Sequence, residues 1–149
     1  MSATGLDVFD KTLQTTSIWL GEIEREIGPD RRLAWKVLGT VLHKLRDRLS
    51  VDLAAHLGSQ LPLLVRGVYY DQYQPARQPV DCDMIDAFMA EVAEWLADSR
   101  AVDPKAATAA VFALLSRHID AGQIAKVLHS LPKPLRSFWD DAEAATAAA

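Results

Sequence analysis

The sequence predicts an all-α fold in which two tandem, similar four-helix repeats pack into one compact helical domain over residues 1–149. No sustained strict alternation of apolar and polar residues marks a strand, whereas apolar residues recur at helical i, i+3 and i+4 spacing through most of the chain. Proline, glycine and short polar residues punctuate those stretches where helices would start and stop. A set of distinctive residues also occurs twice in the same order. Trp19 and Leu20 return at Trp95 and Leu96, a shift of 76 (19 to 95); Pro29 returns at Pro104, a shift of 75 (29 to 104); Pro62 and Arg66 return at Pro132 and Arg136, a shift of 70 (62 to 132). One shortened connection and a shortened second helix account for the falling shift. The expected repeats span about 6–70 and 82–141, with a linker at 71–81 and a frayed helical tail at 142–149.

The first helix is read from Leu6, Phe9, Leu13, Leu20, Ile23 and Ile27, with a weak step at Thr16 and a start near Asp7 that suits the positive helix end. Pro29 is expected in the first turn of the second helix, with Asp30 complementing the dipole and Leu33, Val37, Leu38, Val41, Leu42, Leu45 and Leu49 forming the buried stripe. Ser50 is expected to cap a short helix from Val51 to Leu57 that Gly58 breaks. Pro62 then fits the first turn of a fourth helix over 60–70. After the link "DQYQPARQP", Ile85, Phe88, Val92, Trp95 and Leu96 mark a fifth helix. Asp103 and Pro104 open a sixth carrying Val111, Phe112, Leu114 and Leu115; Asp120 with Gln123 has capping-box spacing for a seventh; Pro132 opens the last.

Half of the 149 residues are apolar and 24% are charged, an ordinary globular composition. Each half of roughly 70 residues is marginal alone, so the two are expected to share one core. Cys82 is the single cysteine, which forbids an internal disulfide and suits a reducing compartment. The first residues show no charged n-region followed by an apolar stretch, and the run Ala106 to Ser116 is far short of the roughly 18 residues of a membrane helix. A cytoplasmic protein without a membrane segment is the expectation. The net charge of −4 argues against a surface built as a whole for nucleic acid.

The segments "LRDRL" (45–49), "QLP" (60–62), "RGVYY" (66–70) and "LPKPLRSFW" (131–139) resemble the bacterial and archaeal proteins grouped as domain of unknown function 2267. The resemblance runs from about Val8 to Trp139 and implies a compact all-helical fold. It implies no activity and no catalytic residues.

Arg66 follows Pro62 by four residues and Arg136 follows Pro132 likewise, so each pair shares a helix face, as does Tyr70. The arginines are read as structural: a stem laid on the core and a guanidinium forked onto carboxylates or the orphan carbonyls of a helix end. Tyr69, Tyr70 and Tyr73 form the richest aromatic cluster, echoed by Phe138 and Trp139, and are read as packing or as a candidate binding surface. The helix from Arg31 to Leu49 carries six Lys or Arg against the single acid Asp47. Arg32, Lys36, Lys44 and Arg46, with His43, are its candidate anion-binding residues, or a solvated face paired with Glu22, Glu24 and Glu26. Arg48 points to the apolar stripe and needs a carboxylate, for which Asp47 and Asp52 are near in sequence.

Catalytic and metal-ligating residues are not expected. His43, His56, His118 and His129 lack the helical spacing of zinc or di-iron sites. Asp81, Cys82 and Asp83 suit a helix start, and Cys82 has no base nearby. The expected function is therefore non-enzymatic protein binding or self-association, with no cofactor. Binding of a polyanion or nucleic acid through the basic helix 31–48, and of a small ligand between the repeats anchored by Arg66 or Arg136, are the alternatives.

Overall fold

The computed structural model describes residues 2–80 and 84–147 of the chain. Every regular element among these residues is helical: α1 (Asp7–Ile27), α2 (Arg31–Arg48), α3 (Val51–Ser59), α4 (Leu63–Tyr70), a 3-10 turn (Pro75–Arg77), α5 (Ile85–Trp95), α6 (Pro104–His118), α7 (Ala121–Ser130) and α8 (Lys133–Ala147).

The helix boundaries follow from local chemistry. Gly28, at φ 104, ends α1 in a conformation that side chains disfavour. The Asp30 carboxylate accepts the Leu33 N–H at 3.0 Å and caps α2. Pro29 therefore stands outside the first turn, contrary to expectation, because the extended backbone of Asp30 (φ −150) must intervene as the cap. Pro104, its proposed counterpart, does occupy the first helical position behind the Asp103 cap. Ser50 and Asp120 cap α3 and α7 by accepting the N–H groups of Leu53 and Gln123. Pro62 likewise precedes α4, and its carbonyl accepts the Arg66 N–H; Pro132 does the same for Arg136.

Gly58 does not break α3, which runs through it to Ser59. A Cβ there would lie 2.4 Å from the Tyr70 hydroxyl and 2.9 Å from Tyr69 Cε2, so the glycine makes room for the tyrosines of α4.

The two central helices, α2 and α6, are the most buried and pack on each other. Around them the packing is paired. α1 lies against α2 and α6, and α5 lies against α6 and α2; α4 packs on α2 as α8 packs on α6; α3 meets α7. α1 also packs on α4, a contact that α5 and α8 do not match. Residues 61–70 and 131–140 have the same burial at every position, with Leu61, Val65 and Tyr69 inside in one and Leu131, Leu135 and Trp139 inside in the other. One apolar cluster runs from Trp19 to Ala142 through both halves.

Polar ties cross between the halves. Glu22 of α1 accepts from Arg117 at 2.7 Å and from His118 at 2.5 Å, while Trp19 stacks on the His118 ring. Burial pushes the Glu22 carboxyl up, but the bonds from His118 and Arg117 outweigh it and leave its pKa below the usual range. Arg100 reaches the Ile27 carbonyl at 3.1 Å and the Asp30 carboxylate at 3.3 Å. Arg48, buried over the Phe88 ring, pairs with Glu91 of α5 and not with Asp47 or Asp52. A buried cation takes the carboxylate that packing sets against it, and sequence proximity does not decide which one that is.

Two segments outside the repeats are also tied to the rest. The connection after α4 is bound down, with the Val80 N–H on the Asp47 carbonyl at 2.7 Å and the Gln78 amide on the Arg46 carbonyl at 2.5 Å. The chain beyond residue 141 is not frayed at its start: α8 continues to Ala147, and Ala142 is buried against the core.

Candidate functional site

The repeated arginine is a helix-end clamp in the first half. Arg66 Nη2 donates at 3.0 Å to the carbonyl of Ser59, the last residue of α3, and at 2.9 Å to that of Leu61 in the turn that follows. Arg136 holds the equivalent half-buried position, yet among the described residues its side chain makes no hydrogen bond.

The tyrosine cluster is not one surface. Tyr69 is fully buried and donates its hydroxyl to the Ala54 carbonyl at 2.7 Å, and burial drives its pKa far above the ordinary phenol value. It is therefore removed from the candidate binding surface: the apolar spacing of Leu61, Val65 and Tyr69 carries it inward. Tyr70 is at the surface edge over Gly58, and Tyr73 is half-buried beneath the Arg46 guanidinium, with its hydroxyl on Gln78.

The basic residues of α2 divide between two places. Arg46 is buried: Nε donates to Asp47 at 3.0 Å, and Nη1 to the carbonyls of Tyr69 at 2.6 Å and Asp71 at 3.1 Å. It is therefore not part of a solvated basic stripe. Lys44 lies near it with its ammonium 4.8 Å from the Trp95 ring centroid, so an aromatic does stand beside the basic residues. Arg32 is exposed at the opposite end of the helix, and Lys36 is half-buried between. Of the glutamates expected opposite this helix, Glu24 pairs with Arg31 at 3.3 Å, whereas Glu22 turns to α6. Asp81, Cys82 and Asp83 lie outside the described residues.

Two concave surfaces collect these residues. The first, about 460 Å³, lies between α1, α2 and α4 and is floored by Leu13, Thr16, Leu20, Trp35 and Leu64, with Arg31 and Arg32 on its rim. Leu13 and Leu64 are 49% and 41% exposed, and Phe9, one turn before Leu13, is 47% exposed. Of the apolar stripe expected for α1 only Leu20 and Ile23 are buried, together with Thr16 at its weak step and with Trp19. Towards its start, Leu6, Phe9 and Leu13 stay exposed. The Thr16 hydroxyl is sealed from solvent without a hydrogen-bond partner.

The second, about 530 Å³, is bounded by the C-terminal half of α2, residues 72–80 and the end of α5. Lys44, Arg46 and Arg77 supply positive charge and Asp47 negative, Tyr73 and Trp95 form aromatic walls, and His43 and three glutamines add further polar groups. Gln72 turns the chain into it at φ 58, a conformation uncommon outside glycine. Periodicity assigned Trp95 to a helix stripe, and Arg77 carried no signal; neither was legible as a pocket residue. Arg66, one of the two alternative ligand anchors, borders a separate depression of about 340 Å³ beside Trp19 and His118.

These features define an all-helical protein whose two four-helix halves close on one core and leave an apolar groove and a basic pocket open. A family model described as an uncharacterized conserved protein (DUF2267) matches residues 16–138, and the chain belongs to that family. No curated protein matches the chain.

Proposed function

We propose that this is a non-enzymatic, cytoplasmic protein-interaction module that receives an apolar helical segment of a partner protein in the groove between α1, α2 and α4. The observation that carries the reading is the uncovered face of α1. Leu6, Phe9 and Leu13 continue the helical spacing of the core for two turns past it. A contiguous exposed apolar patch next to a groove is the usual form of a helix-docking surface. Arg32, exposed and without a carboxylate among the described residues, favours a partner with an acidic residue beside its apolar face. The single thiol suits the cytoplasm.

The paired helix packing and the matching burial of 61–70 and 131–140 support an origin of the two halves by internal duplication. On that reading the α1–α4 contact, more extensive than any between α5 and α8, is where the halves diverged to form the groove.

Photo-crosslinking from position 13, in cells of the source organism, tests the proposal. Adducts that disappear with Leu64→Glu, while adducts from an exposed control position such as Lys126 do not change, are expected. Adducts with a second copy would assign the groove to self-association. Adducts insensitive to Leu64→Glu, or none at position 13, would overturn the proposal.

A further inference from the structure

We infer that the pocket between α2, residues 72–80 and α5 binds a small phosphate monoester carrying a flat ring, with the phosphate held by Arg46, Lys44 and Arg77 and the ring against Trp95. The site is separate from the apolar groove and does not depend on it.

Arg46 is held in place and keeps one end free. Its side chain is 4% exposed, and three of its five N–H groups are spent on the Asp47 carboxylate and the carbonyls of Tyr69 and Asp71. Among the described residues Nη2 has no partner, and it is not among the polar atoms sealed from solvent without one. Arg46 lines the pocket, so the free end of a nearly buried, always charged fork opens there. The three bonds to α2 and to the turn after α4 hold it in place before any ligand arrives, which lowers the ordering cost of binding.

Charge gives the ligand class. Among the described residues Lys44, Arg46 and Arg77 line the pocket with Asp47 as the one acid, an excess of two positive charges, and neither Lys44 nor Arg77 is paired with a carboxylate there. Three like charges around one cavity repel each other unless an anion joins them, and a phosphate monoester dianion matches the excess. The walls give the rest. Trp95 is 48% exposed although its counterpart Trp19 is buried, so its indole is apolar surface that the fold leaves uncovered at the pocket rim. Lys44 lies over that ring, so a ring and its phosphate would meet the indole and the ammonium at one place. Gln72, Gln74 and Gln78 can bond polar ring substituents. The volume of about 530 Å³ is that of a small-molecule site.

Titration of the full chain with phenyl phosphate, followed by two-dimensional NMR, tests this, with the Trp95 indole signal identified by its loss in Trp95→Phe. Movement of that signal and of the Gln78 side-chain amide is expected, with dissociation constants of about 1 mM or below and clear weakening by salt. Phenol should leave the signals in place, and benzoate should bind more weakly than phenyl phosphate. Lys44→Gln and Arg77→Gln should each weaken binding by roughly threefold to tenfold, with thermal unfolding showing that both variants remain folded. Both side chains reach solvent, whereas Arg46 also anchors the turn after α4 and is left intact. Phenol binding as well as phenyl phosphate, variants binding as the parent does, or phosphate-induced shifts confined to Arg31 and Arg32 would each overturn the inference. Single-stranded RNA binding about a hundredfold tighter than phenyl phosphate, with shifts spreading beyond the pocket, would overturn it in favour of a nucleic-acid surface.

Discussion

The amide of Leu64 donates to the hydroxyl of Thr12 at 3.0 Å, so a side chain of α1 caps α4 across 52 residues of sequence. Pro62, at the cap position itself, has no side-chain acceptor to offer. Helix starts leave such donors unpaired, and supplying an acceptor contributes about 1 kcal/mol. Thr12→Val, which keeps the shape and removes the acceptor, is expected to lower stability by about that amount, and Thr12→Ser to retain most of it. Equal losses in urea unfolding would show that the hydroxyl is not the cap.

Gly58→Ala should be destabilising even though alanine is the better helix former by about 1 kcal/mol. The new methyl would meet Tyr69, which is fully buried and fixed by its bond to Ala54, as well as the more yielding Tyr70. Overpacking of this kind costs about 1–3 kcal/mol, so a net loss should show in the melting temperature. A stabilised Gly58→Ala protein would mean that α4 can move away from α3 freely.

Arg48 and Glu91 should behave as a unit. The Arg48 side chain is 3% exposed and that of Glu91 39%, so Glu91→Ala leaves a buried guanidinium with only the Lys44 carbonyl. A loss of about 2 kcal/mol is expected, less than for a wholly buried pair because water reaches the carboxylate. Arg48→Met combined with Glu91→Leu should recover most of it, since the unpaired charge is then gone. A double variant as unstable as Glu91→Ala would show that the ion pair itself holds α2 to α5.

His43 predicts how stability varies with pH. Desolvation lowers its pKa; its bond to the Val68 carbonyl at 2.6 Å and the nearby Asp47 and Asp71 oppose that, while Arg46 reinforces it. With the folded value below the unfolded one, the unfolded chain takes up the proton first as pH falls. The stabilisation is whole above about pH 6.5 and is lost as pH falls towards the folded value. Unfolding free energy measured from about pH 7.5 to 5.5 should fall more steeply in the parent than in His43→Gln. Parallel slopes would assign the acid sensitivity to other groups.

Much of the fold is legible along the chain because its determinants are local. Asp30, Ser50, Asp103 and Asp120 are caps that bond to amides two or three residues away, and the leucines of α2 repeat at helical spacing. Short-range bonding of this kind can be read in sequence order. The clamp made by Arg66 on the end of α3 also spans only a few residues, and its role follows from the same logic.

Tertiary packing alone decided which apolar and charged residues face solvent. Leu13 and Leu20 have the same periodicity, yet only Leu20 is covered, while Leu13 opens on the groove beside Trp35 and Leu64. Trp19 and Trp95 are each followed by a leucine, but one stacks on His118 inside a helix junction and the other stands at a pocket rim under Lys44. Arg46 looked like one more residue of a basic helix until the turn after α4 brought the Tyr69 and Asp71 carbonyls to it. Helical spacing determines which residues share a face; burial and pairing depend on what the rest of the chain places against that face, and those partners lie tens of residues away.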